Sequence, residues 1–162
     1  MTAKNFRSLE YTAQPKKQIN IKGVEYRHCK SHFVYDASEQ AAGDTFVLAE
    51  GLDGNTIVKG VFITNSAITT AADNDVMICK HGETSAITVA SGKINLLADG
   101  FTIASAATTD VLGSSVSGFD YSKSLAELTG IDNEIFDIVL TVKTAGTVDG
   151  TIVADVQTAD NL

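Results

Sequence analysis

All three histidines and both cysteines fall in two short segments, His28-Cys29-Lys30-Ser31-His32 and Cys79-Lys80-His81. If both segments are strands, Cys79 and His81 point to one face, and Cys29 with His32 on a second strand would complete a tetrahedral zinc site. The competing reading makes Cys29 and Cys79 buried core thiols and leaves the imidazoles at strand ends, since only one of these spacings resembles a zinc pair. We take the second reading and expect no metal and no cofactor. Carboxylates gather in Asp73-Asn74-Asp75 and Asp132-Asn133-Glu134. Oxygen ligands of this kind hold hard cations, but neither run has the glycine and terminal glutamate of a calcium loop. Asp and Asn also serve turns through local bonds to the backbone, and that reading is preferred.

Covalent chemistry finds little support. There is no Gly-x-Ser-x-Gly elbow, and His28, His32 and His81 lack a recognisable Ser or Asp partner pattern. The glycine pairs Gly51/Gly54 and Gly113/Gly118 do not open helices after strands, as a phosphate loop must. A glycosidase needs two carboxyls facing across a cleft, and nothing marks such a pair. The expectation is a protein without catalytic residues, not an enzyme.

The elements that would position any site are short strands. From about residue 18, Val, Ile, Thr and Phe recur in runs separated by Gly, Asp, Asn and Ser, the pattern of an antiparallel sandwich. In Ile135–Lys143, Phe136, Ile138, Leu140 and Val142 alternate with Asp137, Thr141 and Lys143, so one face turns inward and the acid outward. Val148–Gln157 alternates likewise, and the short Thr144–Thr147 link predicts a hairpin between the two, with Gly150 at a bulge or close approach. Further strands are expected at Ile19–Tyr26, Phe33–Tyr35, Thr45–Ala49, Thr56–Thr64, Val76–Lys80, Ala86–Val89, Ile94–Ala98 and Phe101–Ala104. Thr56–Thr64 has apolar residues on both faces and reads as a central strand covered on both sides. One helix is expected over Ser122–Leu128, capped by Ser122 and stopped by Gly130. The sum is an all-β chain, an antiparallel jelly-roll-like sandwich over residues 19–162 with one short helix and an extended arm at residues 1–18.

Length and charge agree with one domain. The 162 residues are 44% hydrophobic and 20% charged, enough for a core without disulfide or metal support. Twelve basic side chains against twenty acidic ones give a net charge of −8, unevenly spread. Residues 1–30 carry +5 and residues 31–162 carry −13. An acidic body argues against a nucleic-acid surface, which is built from Lys and Arg clusters. No apolar run reaches the length of a membrane span, and residues 1–7 lack the apolar core of a signal peptide, so we expect no membrane partner and synthesis in a host cytoplasm. The arm sets Phe6, Leu9 and Tyr11 among polar residues, with Pro15 opposing a helix and Lys16-Lys17 keeping it hydrated.

The stretches Gly43–Thr64 (GDTFVLAEGLDGNTIVKGVFIT), Lys93–Gly100 (KINLLADG) and Asp137–Ile152 (DIVLTVKTAGTVDGTI) resemble the small virion proteins of tailed bacteriophages, among them head decoration or cement proteins. The resemblance spans residues 43–156 as strand and turn phrases and leaves the arm unmatched. It implies a non-enzymatic protein on the capsid exterior of the virion, bound to the major capsid protein and often to itself as a homotrimer. The residues that would make capsid or subunit contacts are then those of the arm, Phe6, Arg7, Leu9, Tyr11, Lys16 and Lys17, with the basic groups meeting acids on a neighbour. The alternative is a carbohydrate- or host-surface-binding sandwich from a phage fibre or adhesin. Phe119-Asp120-Tyr121 is its best stacking candidate in a chain without Trp.

Overall fold

The computed structural model describes residues 5–7, 16–19, 25–68 and 73–160. They form ten strands and one helix: β1 (Asn5–Arg7), β2 (Lys16–Ile19), β3 (Glu25–Tyr35), β4 (Asp44–Asp53), β5 (Thr56–Asn65), β6 (Asn74–Lys80), β7 (Leu96–Phe101), β8 (Ala107–Asp110), α1 (Leu125–Thr129), β9 (Ile135–Val142) and β10 (Gly150–Asp160).

The pairing of β3 to β10 is nested. β3 pairs with β10, β4 with β9, β5 with β8 and β6 with β7, each pair antiparallel. Successive pairs fall in opposite sheets, and β10 also joins β5 while β9 joins β6. The results are a sheet ordered β4-β9-β6-β7 (sheet A) and a sheet ordered β3-β10-β5-β8 (sheet B). Four nested pairs wound into two sheets are the jelly roll, and the expected all-β sandwich is therefore present. The arm contributes to both sheets: β1 runs parallel to β4 with Phe6 opposite Phe46, and β2 runs antiparallel to β3 with Lys16 opposite His28.

The alternating residues meet between the sheets. Phe46, Leu48, Val76, Ile78, Phe136, Ile138 and Leu140 of sheet A face Phe33, Tyr35, Val61, Ile63, Ile152 and Val156 of sheet B in one buried cluster. Phe33 and Phe46 meet edge to face with centroids 5.2 Å apart. The helix closes one end of this core: Leu125 and Leu128 are buried, and the Ala126 N–H donates to the Gly54 carbonyl in the β4–β5 turn.

Several local expectations are corrected. β9 and β10 are not a hairpin, because they lie in opposite sheets and residues 143–149 carry the chain across, with the Thr147 and Val148 N–H groups donating to the Ile68 carbonyl. Gly150 does sit at a close approach, since a Cβ there would lie 2.1 Å from Ser66 Oγ. Ile19 and Glu25 face one another in a ladder, so the single strand Ile19–Tyr26 is instead the end of β2 and the start of β3. Phe33–Tyr35 is the end of an eleven-residue strand. Ala86–Val89 is not a strand, although the Ile87 N–H donates to Ile78 O, and the two short strands expected over Ile94–Ala104 are the single β7. β8 was not anticipated.

Two further differences have physical causes. A bulge changes which apolar residues of β5 share a face: Gln157 lies opposite Gly60 and Thr158 opposite Val58, which leaves Lys59 unpaired and brings Val58 and Val61 to the same core. The strand lies between β10 and β8, with Val58, Val61 and Ile63 in the main core and the buried Ile57 and half-buried Phe62 on its other face. The helix starts later than expected because Ser124, not Ser122, is its cap. The Ser124 N–H donates to Glu127 Oε2 at 2.8 Å and its hydroxyl accepts from the Glu127 N–H, while the Ser122 hydroxyl donates to Asp120 at 2.6 Å.

Candidate functional site

The five His and Cys residues do not converge. Cys29 is inside the main core, whereas His28 and His32 lie on the outer face of sheet B. Cys79 points away from that core into a small cluster with Val47, Met77 and Val139 on the other face of sheet A. The tetrahedral arrangement of Cys29, His32, Cys79 and His81 is therefore not assembled. Both thiols are free and buried, as expected. Burial pushes Cys29 up to about 11 and Cys79 up to about 12, and for Cys79 the nearby Asp137 and Glu83 charges push the same way.

The acidic runs also resolve into local structure. Asp73 and Asp75, joined by Asp99, hold the Lys143 ammonium at 3.5, 2.7 and 3.6 Å. The hydrogen bond to Asp75, followed by the charges of Asp75 and Asp73, raises the Lys143 pKa above its ordinary 10.5. A raised folded pKa means that this stabilisation is complete below pH 10.5 and is lost as pH rises through the folded value. Lys143→Met should cost up to about 1 kcal/mol at neutral pH, because the group is partly exposed. In urea melts the gap between wild type and variant should close above about pH 10.5. A gap unchanged up to about pH 12 would contradict the assignment. In the second run, Asn133 adopts a left-handed φ of 57° and Glu134 pairs with Lys80 at 3.4 Å, which is a turn.

Phe119 and Tyr121 pack on each other at 5.0 Å, and the Tyr121 hydroxyl donates to the Leu112 carbonyl at 3.2 Å. Phe119 also rests against the core. The pair seats its own loop, while Tyr121 remains 58% exposed.

Two places gather polar and charged side chains. The first is the outer face of sheet B. On β3 the outward residues are His28, Lys30, His32 and Val34, and on β10 they are Thr151, Val153, Asp155 and Gln157. Val34 is 73% exposed and Val153 36%. Beside them Lys30, Phe62, Thr64, Thr108, Val153 and Gln157 line a shallow groove of about 350 Å³. His28 Nδ1 lies 3.3 Å from Asp155, so this face mixes apolar and charged groups.

The second place is one end of sheet A. Asp137, expected to face solvent, is fully buried. Its Oδ1 accepts from the Gly51 N–H at 2.8 Å and lies 2.9 Å from His81 Nδ1, and its Oδ2 accepts from the Gly82 N–H at 2.8 Å. Glu50 joins this group: one ligand atom each from Glu50, His81 and Asp137 lie within 4.8 Å of one another. Neither Glu50 nor Asp137 was singled out from the sequence. The available signal was a pair of dipeptides, Glu50-Gly51 and His81-Gly82, each with a possible ligand just before a glycine.

Of the arm residues, Phe6 and Arg7 lie in β1 and Lys16 and Lys17 in β2, whereas Leu9 and Tyr11 lie outside the described residues. Among the described residues no helix is long and apolar enough to cross a membrane. No family model, curated protein or solved structure matches the chain.

Proposed function

We propose that this is a non-enzymatic virion structural protein that binds the outer capsid of a tailed bacteriophage and stabilises the shell. The observation that carries the reading is the outer face of sheet B, a strand surface with exposed Val34 and Val153 beside a groove. Nested jelly-roll sheets are a common plan of viral capsid domains, which supports the reading at the level of architecture only. The arm supplies the second part of the proposal. β1 and β2 are the outermost strands of their sheets, so each presents a backbone edge that a neighbouring subunit can extend, with Phe6, Arg7, Leu9, Tyr11, Lys16 and Lys17 as the contacting side chains. A homotrimer made through the same edges fits this plan.

The test is co-sedimentation with undecorated capsids of the parent phage. The full chain should pellet with the shells, and Val34→Glu combined with Val153→Glu should weaken binding by about tenfold or more with an unchanged thermal melt. Deleting residues 1–18 should weaken it further. A full chain that leaves capsids untouched and is instead retained on a glycan array would replace this reading with the carbohydrate-binding one.

A further inference from the structure

We propose that Glu50, His81 and Asp137 form a binding site for a divalent transition-metal ion of the zinc type. The site is built by one carboxylate. Gly51 and Gly82 adopt left-handed φ values of 70° and 82°, and the N–H of each donates to Asp137 at 2.8 Å. Each glycine is immediately preceded by one of the other two ligand residues. Asp137 therefore fixes two separate chain segments, the bulged part of β4 and the turn after β6, at the point where Glu50 and His81 emerge. Two loops held by a single buried anion place their side chains together without any need for those side chains to attract one another.

The spacing suits a small ion. His81 Nδ1 and Asp137 Oδ1 are 2.9 Å apart, near the separation of two adjacent ligands bonded to one ion at about 2.0–2.2 Å. A Glu50 carboxylate oxygen lies within 4.8 Å of one ligand atom each of His81 and Asp137, a distance that a side chain with rotatable bonds can shorten. The donor set is one imidazole and two carboxylates, which favours zinc, cobalt or nickel over calcium or magnesium, whose shells are all oxygen. Depth is graded as well: Asp137 is fully buried at the floor, while the His81 side chain is 52% exposed and open to an entering ion. Water would complete the coordination. Only Cys79 and His81 of the motif first considered for zinc lie on this side of sheet A, and Cys79 is the ladder partner of Asp137.

The experiment uses the untagged full chain, stripped with EDTA and kept reduced, titrated calorimetrically with Zn²⁺ and followed with Co²⁺ by visible absorption. One ion per chain is expected, with Ca²⁺ binding far more weakly. His81→Ala and Glu50→Gln should each weaken Zn²⁺ binding by about tenfold or more. His28→Ala and His32→Ala, on the other sheet, should leave it unchanged. Thermal melts in EDTA establish that each variant is folded, and imidazole NMR of the unaltered chain gives an independent readout in which the His81 ring alone shifts with Zn²⁺. Absence of a saturable Zn²⁺ site, equal affinity for Ca²⁺, or a site lost with His28 or His32 while His81→Ala binds normally would overturn the proposal.

Discussion

Phe46→Ala is expected to lower the unfolding free energy by about 4 kcal/mol, measured by urea unfolding with circular dichroism. The side chain is fully buried and stands on β4 facing the other sheet. It meets the Phe33 ring edge to face at 5.2 Å and lies 6.3 Å from Tyr35, so one ring is shared by two residues of β3. Truncation removes the transfer energy of the ring and leaves a void between two sheets whose backbones are held by ladders and cannot collapse into it. A domain of this kind has about 5–15 kcal/mol in total, so the variant should lose a large part of its stability with little change in the urea dependence. Val34→Ala, on the open face of sheet B, should cost less than about 0.5 kcal/mol. A Phe46→Ala cost below about 1 kcal/mol would mean that the two sheets are not packed through this ring.

Asp137→Ala is expected to have a comparable effect, about 4 kcal/mol, by a different route. The change orphans the Gly51 and Gly82 N–H groups and removes the partner of His81, and hydrogen bonds to a charged acceptor are worth about 1.5–3 kcal/mol each. Asp137→Asn should not restore stability. Its amide oxygen can accept from Gly51 and His81, but the NH₂ group then faces the Gly82 N–H, donor against donor. Hydrogen exchange supplies the specific check. The amides of Gly51 and Gly82 should lose protection together in Asp137→Ala, and that of Gly82 alone in Asp137→Asn, ahead of the core strands. Retained protection at both would show that something other than this carboxylate holds the two turns.

The class of fold was legible because the inner faces are written in alternation: Phe136, Ile138, Leu140 and Val142 in β9, and Ile152, Ala154 and Val156 in β10, are all buried. Alternation fixes which face a residue occupies but carries no information about which strand lies alongside. The two strands nearest in sequence at the end of the chain were for that reason paired with each other, although each belongs to a different sheet. β8, with the sequence Ala-Thr-Thr-Asp, buries none of its residues and left no pattern to read. The true helix cap was available as Ser124-x-x-Glu127, and the nearer Ser122 obscured it. Asp137 was hidden for a related reason. A charged residue at an outward position reads as solvated, and only the fold shows that two turns cover that part of the outer face and donate to it.

The nested pairing also dictates an order of assembly. β6 and β7 are joined through residues 81–95, whereas β3 and β10 must find each other across more than a hundred residues, so the entropy of closure rises from the innermost pair to the outermost. β9 and β10 lie in the interior of their sheets, each with a neighbour on both sides. Neither sheet can be completed until residues 135–160 have been synthesised. Until then the earlier strands carry unpaired edges, and assembly that waits on such distant pairing is slow, as in other sandwiches with distant contacts.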